Sequence, residues 1–117
     1  MNEKEIAELS AWTAREIRSA VLQEGRAFDA AGEDIVREYV QTCLLHWKRG
    51  GKVSLDHCAE TVAEIFQRRQ NETNTKEEVM NAMMLLGSKF PSFVEENQKQ
   101  RDAEAAKIAA SMPAVKV

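Results

Sequence analysis

The sequence predicts an all-α fold, a compact bundle of about five helices with the C-terminal helix partly projecting. Three observations point there. Apolar residues recur at three- and four-residue steps along most of the chain, the period of a helix that buries one face. No run alternates apolar and polar residues as a half-buried strand would. Ser54, Thr75 and Ser92 each stand just before a helix-period segment, and Thr75 and Ser92 are followed three residues on by Glu78 and Glu95. That spacing is a capping box, in which the hydroxyl accepts an early helix N–H and the glutamate reaches back to the cap N–H.

The first segment covers residues 3–23. Ile6, Leu9, Thr13, Ile17, Ala20 and Val21 share one face, and Trp12 and Leu22 widen it. Glu3 and Glu5 complement the helix dipole at its start, and Gly25 supplies a stop. Phe28 then plugs the core from a short loop. The second segment, 33–48, carries Val36, Tyr39, Val40, Cys43, Leu44 and Trp47 on its apolar face. Gly50-Gly51 ends it, because glycine tolerates the left-handed conformation that closes a helix. The third follows Ser54 and runs to residue 69, with Leu55, Cys58, Ala59, Val62, Ile65 and Phe66 as its stripe and Val53 stapled at its start.

The fourth segment, 76–86, is short and apolar over more than one face. Val79, Met83 and Leu86 read as core, whereas Met80, Met84 and Leu85 add apolar surface beyond that stripe. Gly87 and Phe90-Pro91 are expected to close it. The fifth begins after Ser92 and runs to about residue 110. Phe93, Val94 and Ile108 are its large apolar residues, and the stretch between is polar and alanine-rich, which is why this helix is expected to project. By length the 117 residues form one domain, placed at 1–111, with 112–117 as a frayed tail.

Composition narrows the function classes. Sixteen basic and 19 acidic residues leave a net charge of −3, too little to imply a partner by field alone and against the basic balance of a general nucleic-acid binder. Residues 1–5 show no secretory signal, and no apolar run approaches the ~20 residues of a membrane span. With two cysteines and no signal, free thiols and a cytoplasmic location are expected.

Cys43, His46, His57 and Cys58 have metal-ligand chemistry and meet if the second and third helices form a hairpin. His57 and Cys58 are consecutive, however, and diverge by about 100° on a helix. Both cysteines also fall on apolar stripes, where a free thiol behaves as a small hydrophobe. We therefore expect no metal, no cofactor and no cysteine nucleophile; no polar loop is available to hold a substrate, and the chain reads as a non-enzyme.

Two surfaces are left. Met80, Met84 and Leu85 are candidate protein-binding residues, through a partner or self-association, which gives the leading expectation of a protein-binding or regulatory module acting through helix faces. The alternative is a nucleic-acid-associated accessory protein. It uses the basic segment 46–52, with Lys48, Arg49 and Lys52 on phosphates, together with Arg68 and Arg69. The plainer role of those cations is to complement helix C-termini.

Overall fold

A computed structural model describes residues 2–111, with the side chains of residues 93, 94, 97, 98, 101 and 111 left out of the description. It contains four α-helices and no strand among the described residues: α1 (Glu3–Gln23), α2 (Ala30–Lys48), α3 (Leu55–Arg68) and α4 (Lys76–Ser111). The all-α bundle stands. The expected tail at 112–117 and the side chains of Phe93 and Val94 lie outside the described residues.

α1 begins at Asn2, whose side-chain oxygen accepts the Glu5 N–H at 2.8 Å. Ile6 and Ala14 are buried, and Leu9, Ile17 and Val21 lean on the core. Ser10 is buried among them, its hydroxyl satisfied by the Ile6 carbonyl at 2.7 Å. Trp12 and Leu22, expected to widen the stripe, point to solvent instead. Gly25 ends the helix with φ +77°, and Phe28 is buried as expected.

α2 starts three residues earlier than the sequence pattern implies. Asp29 is its N-cap, accepting the Gly32 N–H at 2.7 Å. Gly32 therefore lies in the first helical turn, not in a loop. A Cβ there would sit 2.6 Å from the Val79 side chain, so only glycine lets α2 and α4 approach this closely. Gly32→Ala is accordingly expected to destabilise the protein by about 1–2 kcal/mol through overpacking. The same change in a solvated helix would stabilise by up to about 1 kcal/mol. The midpoint of urea denaturation distinguishes the two signs.

α2 supplies most of the centre. Ile35, Val36, Tyr39, Val40, Cys43 and Leu44 are all buried, each large aliphatic side chain contributing roughly 1.5–3 kcal/mol by leaving water. α3 returns across Gly50, at φ +85°, and is capped by Ser54, whose hydroxyl accepts the His57 N–H at 3.1 Å. Leu55, expected in the stripe, is exposed at the start of α3.

The separation of a fourth and a fifth helix is overturned. α4 runs without interruption through Gly87 and Pro91 for 36 residues. Both residues are helix breakers by local preference, and Pro91 cannot donate to the Gly87 carbonyl. Tertiary contacts override that preference. A Cβ at Gly87 would lie 3.1 Å from the Tyr39 hydroxyl and 3.3 Å from Cys58 Cβ, so Gly87 is where α4 meets α2 and α3. Phe90 is buried edge-on to Tyr39, with ring centroids 6.2 Å apart, and holds the turn just before the proline.

Neither expected capping box forms. Ser92 lies inside α4. The Thr75 N–H goes to the Thr73 hydroxyl at 3.2 Å, and Glu78 is ion-paired with Arg26 instead of reaching back to the cap. Beyond Ser92 every described side chain of α4 is exposed, and this arm explains the 62 × 29 × 22 Å dimensions and the 16.9 Å radius of gyration. A compact chain of this length has a radius near 13 Å.

Candidate functional site

The Cys/His cluster shows first what the fold does with its reactive groups. α2 and α3 are antiparallel across Gly50-Gly51, so the two sides meet. His46 and His57 stack, ring centroids 3.9 Å apart and planes inclined 19°. Cys43 and Cys58 are both buried, next to the Tyr39 hydroxyl. Burial, reinforced by the neighbouring Cys58, pushes the Cys43 thiol up to about 12. At neutral pH that thiol keeps its proton, the inert form of cysteine. Burial first, then the same two thiols, pushes the Tyr39 phenol up as well. Among the described residues no three His, Cys, Asp or Glu side chains are placed to hold a metal ion.

The basic residues do not form one surface. Lys48, Arg49 and Lys52 are exposed around the α2–α3 turn. Arg68 and Arg69 lie at the far end of α3, about 20 Å away along the helix axis. Arg69 is largely enclosed by carboxylates. Its guanidinium meets Asp34 at 2.7 Å, Glu38 at 2.8 Å and Glu72 at 2.7 Å. Arg68 joins the same network through Glu38. The hydrogen bond from Arg69, then that from Arg37, holds the Asp34 carboxyl below its usual range against an opposing burial effect. These arginines tie α3 to the first half of α2. Lys48, Arg49 and Lys52 thus lie at the opposite end of α3 from Arg68 and Arg69.

The α4 residues behave differently. Met80 is 46%, Met84 49% and Leu85 59% exposed, whereas Val79 and Met83 on the same helix are fully buried and Leu86 is half-buried. The three diverge to two sides of α4. Met84 lies with Leu55 and Ala59 on the α3 side, over a shallow recess floored by Met83, Cys58 and Gly87. Leu85 lies on the α1 side, at the edge of a groove of about 410 Å³.

That groove was not anticipated. Ile17, Ala20 and Val21 of α1 form one wall, and Ala82, Leu85 and Leu86 of α4 form the other. Arg26 and Glu78 pair at one end, while Glu24 and Lys89 mark its edges. A second apolar hollow of about 180 Å³, between Thr13, Leu86 and Phe90, continues along the same seam. From Glu78 to Phe90 the seam spans about 18 Å of helix axis, or three turns. The α1 residues were legible only as an apolar face. Which part of that face meets the core and which part meets solvent depends on the distance between α1 and α4.

The chain matches no protein-family model, and no curated protein or solved structure is significantly similar to it. No described helix is long and apolar enough to cross a membrane.

Proposed function

We propose that this protein is a non-enzymatic binding module that takes an apolar-faced helix of a partner protein into the groove between α1 and α4. The observation that carries the reading is the groove itself: apolar walls from two helices, three turns long, with Leu85 exposed at its edge. A helix seated in a hydrophobic groove is a recurrent mode of peptide recognition, and acidic and basic residues at the rim suit an amphipathic ligand. Glu24 and Lys89 offer both signs here.

Met80 and Met84 extend the apolar surface over the top of α4 toward Leu55. Methionine adapts to varied partners, which suits a regulatory module. The buried free thiols fit the reducing cytoplasm, which is the compartment we propose. A nucleic-acid role would rest on Lys48, Arg49 and Lys52 alone, and three cations give a salt dependence with a slope near −3 at most.

Selection from a display library of amphipathic helices tests the reading. Helices enriched on the wild-type protein should lose binding to Leu85→Glu and to Ala20→Glu. Equal binding to both variants would remove the groove from the account. Because Met84 is half exposed, Met84→Glu is expected to leave the far-ultraviolet circular dichroism unchanged and stability within about 0.5 kcal/mol. Sedimentation of Leu85→Glu, altered at the edge of the groove itself, separates the sources of the helix. A mass that falls to the monomer's on substitution identifies a second copy, not a different protein, as the occupant.

A further inference from the structure

The His46–His57 stack has no part in the binding groove. His46 comes from the last turn of α2 and His57 from the first turn of α3. The turn between them is seated on the stack. A Cβ at Gly51 would lie 2.2–2.5 Å from the His46 ring, and the Gly51 N–H donates to the His46 carbonyl at 3.0 Å. His57 Nε2 is buried and has no hydrogen-bond partner among the described residues.

We propose that this stack is a proton-sensitive latch. With His57 neutral, the stack holds the α2–α3 turn closed, and protonation of His57 releases the turn together with the first residues of α3.

Three features oppose a charge on His57. Its Nε2 has no acceptor, and an unpaired buried charge is costly. The positive end of the α3 dipole lies at its own position, where a cation is unfavourable. The His46 ring stands at stacking distance. Of the charged residues around it, Glu60 of α3 favours protonation, while Lys48 and Arg49 from the end of α2 and Lys52 of the turn are exposed cations. Burial, then His46, lowers the His57 pKa from its usual 6.5. The folded state thus binds fewer protons than the unfolded one. The stability this group contributes is present above pH 6.5 and is lost as pH falls through its lower folded value. Release would move Leu55, two residues before His57, and with it the α3 side of the recess under Met84.

The imidazole Cε1–H resonances of the full chain, followed by NMR from pH 8 to about pH 5, read His57 directly. Amide exchange at Gly51, His57 and Cys58, corrected for its intrinsic pH dependence, reads the turn. His57 is expected to titrate below 6.5, and the three amides to lose protection as it does, roughly tenfold per pH unit. His57→Phe keeps an aromatic ring in place without a titrating group and should hold protection constant over the same range. Titration of His57 at or above its usual value overturns the latch, whether or not the variant folds. So does amide protection that is flat with pH in the wild-type protein.

Discussion

Phe90→Ala is expected to destabilise the protein by about 3–5 kcal/mol, the cost of removing a fully buried aromatic ring and leaving a cavity. Phe90 is 2% exposed and meets Tyr39 edge-on, with planes inclined 65°. It also stands immediately before Pro91, where α4 lacks a backbone donor. The ring therefore fastens α4 at its weakest turn. Small domains hold about 5–15 kcal/mol in total, so this single change removes a large share of the fold's stability. Urea denaturation should show a much lower midpoint. A loss under about 1 kcal/mol would mean that α4 is anchored elsewhere.

Asp29→Ala follows, with an expected loss of about 2–3 kcal/mol. One carboxylate oxygen caps α2 through the Gly32 N–H and accepts the buried Thr73 hydroxyl at 2.6 Å. The other accepts the Asn74 N–H at 3.1 Å. Asp29 thus joins the start of α2 to the loop that leads into α4. The Thr73 hydroxyl, then the amides of Gly32 and Asn74, hold the carboxyl below its usual value against an opposing burial effect. Its stabilising contribution is present above the ordinary carboxylate pKa and is lost as pH falls through the lowered folded value. Asp29→Asn should therefore flatten the acid limb of a stability–pH curve, whereas Asp29→Ala lowers stability at neutral pH as well. Thermal denaturation across pH 2–7 measures both.

Local chemistry made α1 and α3 legible. Gly25 and Ser54 act where they stand in the sequence, and the apolar period survives between them. The start of α2 was hidden because Gly32 reads as a loop residue, while its lack of a side chain serves contact with Val79. The long α4 was hidden for a related reason. Gly87 and Pro91 are stop signals in isolation, and only Tyr39, Cys58 and Phe90, brought together by the fold, make them interior residues of a helix. The exposure of Met80, Met84 and Leu85 was legible because they lie off a stripe already filled by Val79 and Met83. The groove beside Leu85 was not, since Ile17 and Val21 carry the same period as core residues. The hairpin contact of His46 with His57 follows from connectivity, but periodicity carries no information on ring orientation.

The binding reading places its largest energetic demand on Leu85 and the α1 wall opposite it. Isothermal titration of a groove-selected helix against Leu85→Glu tests that demand most directly. A charge in place of an apolar anchor of such an interface costs about 2 kcal/mol or more, so the affinity should fall roughly 30-fold or further while the variant's melting temperature stays close to wild type. An unchanged affinity in a folded Leu85→Glu protein would contradict the account.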